Sequence, residues 1–475
     1  HTVTGDVLEE YDLLFAEGKI ITIDEQIQPS PETDVLDIYG KHVIPGFIAG
    51  YTRIGLTEIS AVKQTNDHSE IGEINPNVRA NVAYNPDSDL IPVTRSNGVL
   101  TVNSAPTSGR IAGQSSVMYM DGWTWEDATL KHPSALNLNW PSMRFDFRKN
   151  AKKKEKEQRE GYNKAIREMD LLVRDVRAYH HRKNAKERKA EHKQKSDLRL
   201  ESMIPFIVFK EPIHVKANNV RQIEAAAKWS TKHDLNIVIV GGADAWRIPE
   251  ILVEKNIPVI LLGVQNTPRR RFEPIHTPYK VPAMLQKAGV HFCISLDPGY
   301  PMDGHVRTLP DEAMRAASWG LTKDQALRAI TLSAAEILGV ETRINLGLKD
   351  GLFQINDDSL LSVVKLLRKH RPRIVLANAL HDRHPDHGKG ADLVSQACFL
   401  AGLIKIDPDS GLKPHRPDAV YHYIQDYERI ADVVIDTSDF VETKMKAILA
   451  YKSQFYDPNS EEPDTPISTQ AFLDH

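Results

Sequence analysis

Asn236-Ile237-Val238-Ile239-Val240-Gly241-Gly242 is an apolar run of strand length closed by two glycines. Runs of the same kind flank it. Ile213-His214-Val215-Lys216-Ala217-Asn218 lies before it; Ile257-Pro258-Val259-Ile260-Leu261-Leu262-Gly263 and Val290-His291-Phe292-Cys293-Ile294-Ser295-Leu296-Asp297 lie after it. Helical patterns fill the intervals, as over Val220–His233 and Trp246–Lys255. Strands that alternate with helices at this spacing predict parallel pairing and, across residues 205–340, a TIM-like barrel in the α/β class. In such a fold, ligands sit at the carboxyl ends of the strands.

A chain of 475 residues exceeds one ordinary core, so more than one domain is expected. A net charge of −4 gives no global field that would select nucleic acid or a membrane surface. Two cysteines, Cys293 and Cys398, are too few for a disulfide framework or a structural zinc site and read as buried thiols. No apolar stretch is long enough to span a bilayer. The chain begins with His1, which fits a removed leader or a fragment equally.

Upstream, Tyr11–Phe15 and Lys19–Ile23 alternate around Gly18 as a hairpin does. Gly40-Lys41-His42-Val43-Ile44-Pro45-Gly46-Phe47-Ile48 then resembles the entry to the amidohydrolase superfamily, where a β-sandwich leads into the first barrel strand. Asn75–Arg79, Arg95–Gly98, Gly113–Ser116 and the Trp123/Trp125 region resemble the imidazolonepropionase-like branch, especially a form common in Bacteroidetes that lacks the paired histidines. The resemblance implies a partial β-sandwich over 1–50 and a (β/α)8 barrel over 51–341. The chain departs from the metal pattern: Tyr51 and Arg53 stand where the first two metal histidines should be, His214 or Lys216 at the strand-five position, and Gly241 near the strand-six one. Asp297 matches the strand-eight aspartate, which in the family takes a proton from metal-bound water. His276, His291 and His305 read as structural or surface residues.

Residues 148–200 interrupt the barrel with Lys, Arg and Glu, and with apolar residues at Tyr162, Ile166, Met169, Leu172, Val173 and Val176 near helical spacing. Interleaved charges without a stacking pattern predict a pair of solvated rim helices and exclude a nucleic-acid patch.

The tail carries the densest chemistry. His381-Asp382-Arg383-His384-Pro385-Asp386-His387-Gly388 follows Ile374–Leu380, which reads as a buried parallel strand. From residue 343 the chain resembles LmbE/PIG-L zinc N-deacetylases, and within them the bacillithiol-pathway enzymes that deacetylate N-acetylglucosaminyl-malate. The carrying residues are Leu346–Phe353, His384–Gly390, Ala397–Leu400, Tyr421–Gln425 and Ala450–Tyr456. The resemblance implies an incomplete Rossmann-like lobe over 342–475. It makes His387 a zinc ligand, His384 the proton-handling or charge-stabilising group, and Asp386 the carboxylate that orients it. Arg383 and Lys389 would hold an anionic substituent, and His422 would be a substrate-side neighbour. The family's other two zinc ligands come from an HPDD motif, which is absent: His132-Pro133 is followed by Ser134-Ala135.

The expected function is hydrolysis of a non-peptide C–N bond, with zinc as cofactor and a small amide or N-acetyl amino sugar as substrate. Self-association is left open. The deacetylase likeness favours the cytoplasm, and the barrel likeness allows an exported form. The alternatives are a catalytically inactive ligand- or partner-binding protein and a fusion of two truncated enzymes joined near residue 341.

Overall fold

The computed structural model describes residues 1–434 except 5–6, 17–18, 32, 149–152, 185–195, 299–301, 341–352, 411 and 425–428. Of the residues that carry the deacetylase likeness, 346–352, 425 and 450–456 lie outside the described residues, as do the junction near 341 and residues 185–195 of the basic run. The chain divides into two compact units, His1–Thr342 and Arg343–His475.

In the first unit, strands β1 (Asp12–Ala16) and β2 (Lys19–Asp24) form the expected antiparallel hairpin as a sheet of their own. The remaining strands are β3 (Phe47–Thr52), β4 (Val99–Ser104), β5 (Ile111–Tyr119), β6 (Thr129–Asn139), β7 (Ile213–Ala217), β8 (Ile237–Gly241), β9 (Val259–Leu262) and β10 (Phe292–Ser295). They form one eight-stranded sheet in sequence order. β6 to β10 pair in parallel, as do β3 and β4, whereas β5 runs antiparallel to both neighbours. The links around β5, residues 105–110 and 120–128, are too short for the crossover that a parallel pair requires. The sheet's two edges meet through a side chain: the Ser295 hydroxyl accepts the Tyr51 N–H at 3.0 Å and donates to the Tyr51 carbonyl at 3.0 Å. This seam brings β3 and β10 together and nearly closes the barrel.

The period of two along β8 is visible in its packing. Val238 and Val240 join Tyr51, Ile260, Leu262 and Cys293 inside the barrel, while Ile237 and Ile239 join the larger outer cluster against the helices. The charged insertion folds as one long helix, α1 (Glu155–Asn184), and a shorter one, α2 (Leu198–Ile207). The long helix is less solvated than its composition suggests: Ala165, Met169, Val173, Val176 and Tyr179 form a buried stripe. Asp170 ties it to α3 (Val220–His233), accepting from the Trp229 indole at 3.0 Å and bonding His233 at 2.6 Å. The outer layer continues with α4 (Pro249–Glu254), α5 (Thr277–Ala288), α6 (Leu309–Ser318), α7 (Lys323–Ala329) and α8 (Leu332–Leu338). Lys131 closes the end of α8 by donating to the carbonyls of Leu338 and Gly339.

The second unit contains α9 (Asp357–His370), β11 (Ile374–Ala377), α10 (Pro385–Ala401) and β12 (Ala419–His422). A capping box between Asn356 and Ser359 starts α9. The two helices share a core of Val363, Val364, Leu367, Leu393, Ala397, Cys398 and Ala401. Arg368 is buried and donates to the Ala401 and Leu403 carbonyls at 3.0 and 2.8 Å, meeting backbone acceptors where α10 ends. β11 and β12 pair in parallel. The reading of 374–380 as a buried strand holds for one face only. Val375 packs on the unit's core and Ala377 is buried, but Ile374 and Leu376 are 58% and 65% exposed. Both cysteines are free and buried. Among the described residues no helix is long and apolar enough to cross a membrane.

Candidate functional site

The polar cluster sits where β11 hands over to α10. Proline at the first turn suits a helix start, and His384 occupies the N-cap. Its Nδ1 accepts the Asp386 backbone N–H at 3.3 Å. A neutral His384 therefore carries its proton on Nε2 and offers a donor there. His387 has the opposite arrangement. Its Nδ1 lies 2.8 Å from Asp382 Oδ1, and a carboxylate only accepts, so in a neutral His387 the proton sits on Nδ1 and the lone pair on Nε2. The two rings lie 5.1 Å apart at 35°. With both rings neutral, a hydrogen-bond donor on one thus stands beside an acceptor on the other. Gly388 lets the first turn approach the strand end: a Cβ there would stand 3.2 Å from the Leu380 carbonyl oxygen.

The sequence assigns no role to Asp382 or to its neighbour His381. The Asp382 side chain is only 2% exposed, and Oδ1 also accepts the His384 N–H at 3.2 Å. It fixes His387 in the manner of a carboxylate behind a metal-binding or catalytic imidazole. The resemblance makes Asp386 the carboxylate that orients His384. Asp386 pairs with Lys389 at 3.5 Å, and its backbone N–H donates to His384 Nδ1 at 3.3 Å. The Lys389 ammonium also stands 5.6 Å from the Phe353 ring centre. Arg383 is exposed on the loop. His422 uses both ring nitrogens, on the Asn378 carbonyl at 2.8 Å and the Ser395 hydroxyl at 3.2 Å. It braces β12 and offers a substrate no remaining ring nitrogen. The one sequence signal for Asp382 is its place five residues before His387, which becomes a contact only once the chain turns from strand to helix.

Zinc in a catalytic site takes three protein ligands and one open position. His387, with Asp382 behind it, has the form of one ligand. Among the described residues no group of three or more His, Cys, Asp or Glu could hold a metal. The described residues therefore do not fit a complete zinc site.

At the barrel positions singled out by the sequence, charged residues pair with one another. Asp297 pairs with Lys216 at 3.3 Å. Arg53 bonds His68 Nε2 at 3.0 Å, and His68 Nδ1 bonds Thr107 at 3.1 Å. His276 stacks on Trp319, with ring centres 4.9 Å apart, and His291 pairs with Glu336 at 3.1 Å.

Comparison with known proteins finds two classes of likeness. Residues 310–398 match the family described as "PIG-L: GlcNAc-PI de-N-acetylase", a stretch that runs from α6 into α10 and takes in Asp382, His384 and His387. The barrel resembles amidohydrolase structures: that of an amidohydrolase from Thermotoga maritima has a TM-score of 0.59 at 25% identity, over 69% of this chain and 84% of that one. More particularly, the chain is 34% identical over 128 residues to the diacetylchitobiose deacetylase of Thermococcus kodakarensis, covering 26% of this chain and 47% of the relative. The chain thus spans about half the length of that curated relative. A conserved protein of Thermus thermophilus is 27% identical over 37% of this chain and 72% of that one, with a TM-score of 0.23. Both resemblances read from the sequence, deacetylase-like in the tail and amidohydrolase-like in the barrel, are present.

Proposed function

We propose that this protein hydrolyses a C–N bond, removing the acetyl group from an N-acetylglucosamine-type amide, and that Asp382, His384 and His387 form one wall of the site. The observation that carries the reading is the buried Asp382 carboxylate on His387 Nδ1 at 2.8 Å, which leaves Nε2 as the ring's other nitrogen for the reaction. The match of this segment to a de-N-acetylase family and to a diacetylchitobiose deacetylase supports the choice of bond and substrate class. A malate-bearing, bacillithiol-type substrate is the finer form of the proposal, with Arg383 and Lys389 facing its carboxylates.

The residues supply the following chemistry. His387 Nε2 takes a proton from water as the oxygen attacks the amide carbonyl, and Asp382 stabilises the imidazolium that results. His384 Nε2–H donates to the developing oxyanion. The C–N bond breaks as the amine receives the proton, giving acetate and the free amino sugar. The lone pair of His387 suits zinc ligation equally well, and metal content is measured alongside activity for that reason.

The test is free-amine release from N,N′-diacetylchitobiose and from N-acetylglucosaminyl-malate by zinc-supplied full-chain protein. Release by the wild type and its loss in His387→Ala support the proposal. No release from either substrate, or release unchanged in the variant, overturns it.

A further inference from the structure

The deacetylase reading leaves the barrel's carboxyl end without a task. His214 and Lys216 pair in register with Val238 and Val240, whose side chains lie in the inner cluster with Tyr51. Paired neighbours share a face, so both residues project inward, with Lys216 one layer nearer the mouth. The ring contact between Tyr51 and His214, 6.4 Å between centres, agrees. Lys216 meets Asp297 there at 3.3 Å, both side chains being partly exposed. Arg53 and His68 stand on the loop after β3, where Arg53 bonds His68 Nε2 at 3.0 Å.

Beneath the pair lies an unusual group. His214 is fully buried, and neither ring nitrogen has a hydrogen-bond partner. Burial and then the charge of Lys131 hold its pKa down to about 3, so the ring is neutral, with one donor and one acceptor unspent. The neighbouring strand adds the Asn137 Oδ1, also buried and unbonded. Buried polar groups are seldom left so, and two adjacent ones point to a guest polar atom.

We propose that this end of the barrel is a second, metal-independent ligand site that takes a small organic carboxylate on Lys216, with Asp297 as the counter-ion displaced and His214 as a buried hydrogen-bonding floor. Lysine suits the position: it offers a point charge that exchanges one carboxylate for another without rebuilding the site. The proposal uses none of the residues of the Asp382–His387 pair and does not depend on the deacetylase reading.

Calorimetric titration of chelator-treated full-chain protein with acetate, succinate and benzoate, and with the corresponding neutral amides, tests the proposal. At least one acid should bind saturably and its amide should not. Lys216→Met should weaken binding about tenfold or more, the loss expected for a charge-assisted hydrogen bond. Asp297→Asn should act in the opposite direction and tighten it, because the competing carboxylate is gone. Melting curves of both variants establish that they are folded. His387→Ala should leave carboxylate affinity unchanged, so a failed deacetylase assay leaves this proposal standing. No saturable binding across the three acids, equal binding of the amides, or weakening in Asp297→Asn overturns it.

Discussion

β8 and β11 both open on Ile-Val in a short aliphatic run and come to different ends. Ile237-Val238-Ile239-Val240 is buried on both faces, between a barrel interior and a helical layer. Ile374-Val375-Leu376-Ala377 is covered on one face by α9 and α10, and on the other it presents Ile374 and Leu376. The barrel packs its strands between an inner cluster and a helical layer. The second unit, among the described residues, is a site loop on a two-stranded sheet, fewer strands than a free-standing sheet usually has. Apolar periodicity announces a strand but says nothing of what lies over it.

The comparison can be broken by substitution. Ile239→Ala, at a fully buried position of β8, should cost the barrel about 2–5 kcal/mol in chemical denaturation, because the cavity cannot collapse between two packed layers. Arg368→Met should cost the second unit less, about 1.5–3 kcal/mol, by leaving the carbonyls at the end of α10 without their charged donor. Leu376→Ala should change stability by no more than about 0.5 kcal/mol, since much of that side chain is already in water. A cost for Leu376→Ala equal to that of Ile239→Ala would mean that β11 is covered in solution, and the contrast would fail.

Acid should sharpen the same contrast. Burial and then Arg79 lower the His132 pKa to about 4, and burial and then Lys131 lower that of His214 to about 3. An unfolded histidine binds its proton near pH 6.5. The unfolded state therefore binds more protons below that value, and the neutral histidines stabilise the barrel fully only above it. Barrel stability should fall as the pH drops from about 6.5 toward 4. The fall should be shallower in His214→Gln, as read from the barrel's thermal transition across that range.

Much of this was legible in the sequence. The runs at 213–218, 236–242 and 257–263 declare their strands because β-branched residues are bounded by Gly or Asn and separated by helical patterns. The antiparallel course of β5 was not legible from strand composition, since it follows from the short links on either side. The Ser295 seam was equally hidden, because a single hydroxyl bonds a residue more than two hundred positions away. At the site, His384 and His387 stood out by type and spacing. Asp382 did not, because its partnership with His387 depends on a strand-to-helix turn that brings positions five apart together.

The most direct test of the account is the turnover of N-acetylglucosaminyl substrate by Asp382→Asn against the wild type, with zinc content measured in both. Asparagine keeps the shape of Asp382 but removes the charge that sets the His387 tautomer. The account predicts a fall in kcat of about 10²-fold or more with little change in KM. A wild type that releases amine while Asp382→Asn keeps its full kcat would contradict it.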